Sequence, residues 1–340
     1  MKRFEDEFEM DEFRNRVLDV YFGGLTICAY DIETTGLFPR SDRIMLTGIL
    51  TVKDGHAKAQ QFFAETLNDE KAVIDATLSA LKKADVILTY NGRSFDTPFT
   101  VTRAAHYGLA ADMPDDLDLF TVVSGYSEIK KFTGSLSQKS IEKFMGKSNV
   151  RDDRIDGRES IRLYEQYLES PSYALEKTIM LHNHDDICQL YRIFPVIRQT
   201  DFHRAMSRMG FPAGKYMIRS IRVTSSGLFV KAERKEDPVD YISFPTESAP
   251  YSLRMSSSGD VELDVPGKAV GGNTLVIDAE KILRGLSARD GVSDETCSVL
   301  SELDKYPSYE KGYLILRGES RVNYFETNLF IRTFFEELSI

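Results

Sequence analysis

The sequence predicts an α/β protein with a mixed sheet, followed by a smaller β-rich C-terminal unit that ends in a helix. Three observations carry this. Two alternating runs, 43–52 and 58–64, flank Lys53-Asp54-Gly55, an Asp-Gly turn signal that makes them a hairpin. A helical pattern over 70–83 with Val73, Ile74, Leu78 and Leu81 on one face leads into an apolar run at 86–90 and then a second helix, the alternation of an α/β fold. From about residue 205 the texture changes to short alternating runs punctuated by Gly and Pro.

Taken in order, residues 2–20 mix charge with Phe4, Phe8, Phe13, Val17 and Leu18 at roughly helical spacing, and predict a short amphipathic helix packed on the main domain. Thr26–Tyr30 is an apolar, β-branched run and predicts a buried strand. The hairpin follows. Asn68 or Asp69 then caps the first long helix. Asn91-Gly92 closes the strand at 86–90, and Asp96 with Pro98 opens the next helix. DDLDLF at 115–120 predicts a strand end or helix start, with Asp116 and Asp118 as capping or surface acids. Helices are expected at 158–169 and 175–194, then strands at 215–224, 228–234, 241–244, 251–255, 261–265, 274–277 and 313–316, and a last helix at 320–338. The domains are accordingly placed at 1–204 and 205–340.

Composition bounds the function. The 340 residues are 42% hydrophobic and 28% charged, as in a globular protein. No apolar run is long enough to span a membrane, and the acidic N-terminus, MKRFEDEFEMDEF, is unlike a signal core. Cys28, Cys188 and Cys297 are widely spaced and odd in number, which predicts reduced thiols in a cytoplasmic protein. A net charge of −10, from 43 bases and 53 acids, argues against a protein that coats DNA non-specifically. It is compatible with an enzyme whose acids hold metal ions.

Three stretches carry candidate chemistry. In TICAYDIETTGL, Asp31 and Glu33 are two residues apart, so in a strand they share a face and emerge together where the apolar run stops. Thr34, Thr35 and Gly36 follow, with Gly36 suited to a tight turn, then Leu37. In TYNGRSFDTPF, Asp96 follows the Asn91-Gly92 turn; read alone it is a helix cap. In LHNHDDICQL, His182 and Asp186 are one helical turn apart; read alone they are a surface pair. Together the three stretches supply four carboxylates and a histidine. Carboxylate oxygens suit Mg²⁺ or Mn²⁺, and four of them suit a pair of such ions, about 3.5–4 Å apart, acting on a phosphodiester.

The motifs DIETTG, NGRSFD and HNHDD, in that order, resemble those of the DEDD 3′–5′ exonucleases, and within them the YprB-type ribonuclease-H-like proteins. The resemblance covers about residues 20–195, including GSLSQKSIEKFMG and RIDGRESIRLYEQYL. It implies a ribonuclease-H-like mixed five-stranded sheet flanked by helices. It also implies two Mg²⁺ or Mn²⁺ ions held by Asp31, Glu33, Asp96 and Asp186, and a single-stranded nucleic acid 3′ end as substrate, bound in part by Thr34, Thr35, Gly36, Leu37 and Asn91. The third motif departs from the histidine subclass. There the His precedes the Asp with four residues between; His182 stands at the three-residue spacing of the tyrosine subclass. His182 is the residue implied beside the attacking water, with His184 the weaker candidate.

Outside the motifs, Lys130, Lys131, Lys139, Lys143 and Lys147 interleave with Tyr126, Phe132 and Phe144, a pattern that fits a single strand or a solvated helix face. Residues 202–235 hold eight bases, including Arg219 and Arg222, against Glu233 alone, a local charge of +7. These are either exposed positions on connecting elements or phosphate contacts. Two rival readings remain. His184-Asp185 with His106 would suit an HD-type phosphohydrolase, and a non-catalytic nucleic-acid-binding or scaffolding protein could keep the same fold.

Overall fold

The computed structural model describes residues 1–147, 155, 157–286, 294–303, 309–319 and 321–338. Arg154 and Asp156 of the RIDGRES segment, and Ser320 at the expected start of the last helix, lie outside them. The chain divides into two units, Met1–Arg14 with Gly24–Asp201, and Asn15–Gly23 with Phe202–Ile340. Among the described residues no helix is long and apolar enough to cross a membrane.

The first unit opens with β1 (Lys2–Glu9); α1 (Arg16–Phe22) belongs to the second unit. Then come β2 (Ile27–Thr34), β3 (Ile44–Lys53), β4 (His56–Phe63), α2 (Glu70–Leu81), β5 (Val86–Thr89), α3 (Asp96–His106), β6 (Asp115–Asp118), α4 (Leu119–Tyr126), α5 (Ile129–Thr133), α6 (Gln138–Phe144), α7 (Gly157–Glu169) and α8 (Tyr173–Ile193). The strands form one six-stranded sheet in the order β1-β4-β3-β2-β5-β6. β1 through β2 pair antiparallel, and β2-β5-β6 pair parallel. The fold is ribonuclease-H-like: a mixed sheet flanked by helices.

The N-terminal segment differs from expectation and adds the sixth strand. Phe4 and Phe8 are four residues apart, a spacing that suits a helix face and equally one face of a strand. Pairing decides it, because β4 leaves an edge that Lys2–Glu9 completes over its whole length. Lys58 of β4 bridges to Glu5 and Glu7 of β1 across the pair at 3.2 and 3.0 Å, and the charged residues of β1 itself guard the new edge against a further strand.

β3 is buried on both faces, which explains its nearly continuous apolar reading. Its Thr47 shares a 2.6 Å hydrogen bond with Thr77 of α2. The next residue, Gly48, points the other way and lies against Asn183 of α8. Helices α2 and α8 therefore cover opposite faces. Tyr30, Leu46, Phe62, Phe63, Val73, Ile74, Phe99, Tyr164 and Ile179 fill the core.

In the second unit, α9 (Phe202–Met209), β7 (Phe211–Ala213), β8 (Tyr216–Val223), β9 (Gly227–Arg234), β10 (Tyr241–Ser243), β11 (Ser252–Met255), β12 (Asp260–Pro266), β13 (Lys268–Val270), β14 (Thr274–Asp278), α10 (Ala279–Leu286), α11 (Asp294–Leu303), β15 (Tyr313–Gly318), β16 (Arg321–Val322) and α12 (Tyr324–Glu337) follow. They make two antiparallel sheets, β10-β11-β12-β9-β8-β7 and β13-β14-β15-β16. α12 buries Phe330, Phe334 and Phe335, and its Asn328 donates to the Tyr21 hydroxyl of α1 at 2.9 Å.

Candidate active site

The first motif closes a strand, with Asp31 and Glu33 among the last four residues of β2. β2 continues through Thr34, and both acids turn to α8, where Asp31 meets Asn183 and Glu33 meets His182. Pairing with β3 slips at this point: Glu33 faces Leu46 but Thr34 faces Ile44. A bulge of this kind sharpens the twist and re-aims side chains. Beyond it, the Thr34 hydroxyl donates to the Gly36 carbonyl at 2.6 Å, and Thr35 Oγ1 accepts from the Arg43 amide at 2.9 Å. A Cβ at Gly36 would stand 2.4 Å from Asp42 Oδ2, which accepts the Phe38 amide at 2.8 Å, so a larger residue there would displace the Asp42 carboxylate. Leu37 is 69% exposed at the rim.

The second motif is tied to the first by backbone. Asn91 adopts a left-handed conformation (φ 71°) and donates its amide to Asp118 Oδ1 at 2.7 Å. Asp118 is fully buried and also caps α4 through the Phe120 amide, so it is a capping acid and not a surface one. Asp96 opens α3, but its Oδ1 accepts from the Ile32 amide of β2 at 3.1 Å. The carboxyl expected as a helix cap is thus held against β2 beside Asp31 and Glu33.

The third motif comes from α8. One helical turn brings His182 Nε2 to 3.5 Å from Asp186 Oδ2, and the same nitrogen is 3.5 Å from Glu33 Oε1. Ligand atoms of Glu33, His182 and Asp186 all lie within 4.8 Å of one another. His184 faces elsewhere, with Nε2 3.5 Å from Asp6 Oδ2 and its ring beside Phe8 of β1. His106, at the far end of α3, packs on Tyr107. Neither lines the cleft that holds the acids, so the set an HD-type site needs does not line it.

Asp31, Glu33, Thr34, Leu37, Asn91, Asp96, His182 and Asp186 line a single open cleft of about 750 Å³ in the first unit. Thr35 and Gly36 form the turn behind Leu37. Tyr90, Gln138, Lys139 and Arg158 also line the cleft; they lie in the stretches quoted from the sequence but are not among the site residues expected there. Gln138 donates to the Asp186 carbonyl at 3.1 Å, tying α6 to α8. Lys139 belongs to the basic segment noted in the sequence.

Asp31 and Asp96 hold their protons tightly. Burial, then the neighbouring carboxylates of Asp96, Asp186 and Glu33, push Asp31 well above the usual carboxylate range, against the opposing hydrogen bond from Asn183. Burial, with Asp116 and Asp118 adding to it, pushes Asp96 up to about 7 against the hydrogen bond from Ile32. Burial likewise raises Asp116 to about 6. Carboxylates packed like this are strained as a set of anions unless a cation joins them. The donors are oxygens apart from one imidazole, a set that fits Mg²⁺ or Mn²⁺.

In the second unit, Arg219 pairs with Glu233 (Nε to Oε2 3.0 Å), and the Arg222 guanidinium lies 5.1 Å over the Phe229 ring. Lys231 is 3.7 Å from Glu262, so strand-borne acids offset part of the basic run.

Residues 28–197, half of the chain, match a family model described as RNase_H superfamily. A DNA polymerase of Methanocaldococcus jannaschii is 29% identical over 112 residues, 31% of this chain and 7% of that protein. Among solved structures, the family B DNA polymerase from the hyperthermophilic archaeon Pyrobaculum calidifontis aligns with a TM-score of 0.44 at 15% identity. That alignment covers 91% of this chain and 45% of the polymerase chain.

Proposed function

The chain belongs to the RNase_H superfamily, and from that premise we propose that it is a metal-dependent nuclease that removes nucleotides from the 3′ end of single-stranded DNA or RNA. The observation that carries this reading is the meeting of Asp31, Glu33, Asp96, Asp186 and His182 in one cleft. Asp31, Glu33 and Asp186 would hold one Mg²⁺ or Mn²⁺ ion, and Asp31 with Asp96 a second. Such ions, when bound, neutralise charge on the phosphoryl oxygens and steady both the entering and the leaving oxygen. The finer placing with the YprB-type proteins rests on the sequence motifs.

The chain's own groups supply the rest. His182 Nε2 accepts a proton from the attacking water as the new O–P bond forms. The bond from phosphorus to the 3′ oxygen of the shortened strand breaks, that oxygen takes a proton from solvent to become the new 3′ hydroxyl, and a 5′-mononucleotide leaves. Thr34 at the end of β2, the turn residues Thr35 and Gly36, and Asn91 receive the terminal nucleotide, and the exposed Leu37 side chain lies against its base. The basic cleft residues Lys139 and Arg158 offset the acidic floor toward a polyanion.

The test is digestion of single-stranded DNA and RNA, labelled at either end, with Mg²⁺, Mn²⁺ or EDTA. Release of labelled mononucleotide from the 3′ end at the outset, abolished by EDTA, is the expected result. Binding without cleavage would favour a non-catalytic nucleic-acid-binding protein instead.

A further inference from the structure

One row of side chains crosses the sheet beside the first motif. Asp31 of β2 pairs with Gly48 of β3, and Gly48 pairs with Gln61 of β4. Asn183 of α8 lies over this row and is fully buried. Its Nδ2 donates to Asp31 Oδ2 at 2.9 Å, and its Oδ1 accepts from Gln61 Nε2 at 2.8 Å. The same Gln61 nitrogen donates to the Met180 carbonyl at 2.9 Å, so Gln61, itself 5% exposed, is pinned to the backbone of α8.

The arrangement fixes the amide's direction. Gln61 offers a donor, so Asn183 must present its oxygen there and its nitrogen to the carboxylate. Flipping the amide would set oxygen against oxygen at Asp31 and donor against donor at Gln61. Gly48 leaves room for this: a Cβ there would stand 2.2 Å from Asn183 Oδ1. A glycine inside a buried strand weakens it, and here it marks the close approach of another group.

We propose that Asn183 is a positioning residue for Asp31, holding its Oδ2 by hydrogen bond so that Oδ1 is presented to the cleft, with Gln61 and Gly48 keeping the amide in place. The proposal rests on the reading of Asp31 as a ligand for a divalent ion. Partners that orient a ligand in this way are worth roughly 10–100-fold in metal affinity. A buried amide with a purely structural role would alter the stability of the fold and leave the affinity of the folded protein for a cation alone.

The experiment measures Mn²⁺ binding to the full chain by electron paramagnetic resonance, beside its melting temperature in EDTA. Asn183→Ala, folded in EDTA, should bind Mn²⁺ roughly 10–100-fold more weakly than the wild type. Gly48→Ala, which removes no polar group but displaces the amide, should weaken binding in the same direction. Gln61→Leu reports the same effect if either of these does not fold. Wild-type Mn²⁺ affinity in a folded Asn183→Ala or Gln61→Leu variant would overturn the proposal and leave the metal site standing. A wild-type protein that binds no Mn²⁺ would overturn the metal site, and this inference with it.

Discussion

His182 and Asp186 face each other across one turn of α8, with Nε2 3.5 Å from Oδ2. The three-residue interval is that of the tyrosine subclass of the exonucleases that the sequence motifs resemble. Four residues along a helix keep both side chains on one face. With Glu33 Oε1 also 3.5 Å from the same Nε2, the imidazole edge is held between two carboxylates at the cleft. His182→Ala should therefore slow hydrolysis about 10²–10⁴-fold while the protein still binds Mn²⁺. His182→Tyr should recover part of the rate. A full rate and an unchanged pH–rate profile in the alanine variant would remove His182 from the chemistry.

The raised acids predict how stability depends on pH and metal. Asp96 goes from an ordinary 3.8 up to about 7, and Asp116 to about 6. A carboxyl with a higher pKa folded than unfolded binds protons more tightly in the folded state, so stability falls as pH rises between the two values. The metal-free protein should thus lose thermal stability from about pH 4 to about pH 7. Mn²⁺, binding the ionised acids, should restore more of it at the upper end of that range than at the lower. Melting curves in EDTA and in Mn²⁺ across this range check both signs; a metal effect that is larger at low pH would contradict the site.

The loop that carries Leu37 is anchored by a buried ion pair. Glu70 is fully buried and accepts from Arg103 Nε at 2.7 Å, the Tyr107 hydroxyl at 2.7 Å and the Ile44 amide at 2.9 Å. Arg103 also donates to the Pro39 carbonyl at 3.3 Å. Removing one member of such a pair strands the other charge, at about 3–5 kcal/mol. Arg103→Ala should be destabilised by that amount in urea, and far less in the double variant Arg103→Leu with Glu70→Leu.

The basic run in the second unit offers phosphate contacts if it has a role in binding. Each phosphate neutralised on a single strand adds about 0.7 to the salt slope. Arg219→Ala with Arg222→Ala should flatten that slope and weaken long oligonucleotides more than dinucleotides. Unchanged slope and affinity would mean that these arginines serve only their cross-strand partners, Glu233 and Phe229.

Much of this was legible from periodicity. The hairpin, α2, the short strand before Asn91 and most of the later strands announce themselves by apolar spacing and Gly or Asp-Gly turns. The edge strand β1 was not legible, because a four-residue spacing of phenylalanines suits either period and only the open edge of β4 resolves it. The motif residues lining the cleft could be named because acids on short motifs carry a distinctive pattern. Asn183, Gln61 and Gly48 could not, because their meeting depends on strand register and on the close approach of α8, neither of which a local pattern encodes. Met45, the extra residue at the bulge, and the burial of Asp118 are features of the same kind.

The most direct test of the proposed activity compares wild type with Asp31→Asn on a 5′-labelled single strand in Mn²⁺. Asparagine keeps the size of the side chain and removes the charge that both ion sites would share. The wild type should give a ladder that shortens from the 3′ end one nucleotide at a time. The folded variant should leave the strand intact. Equal ladders from the two proteins, or no cleavage by the wild type, would contradict the account.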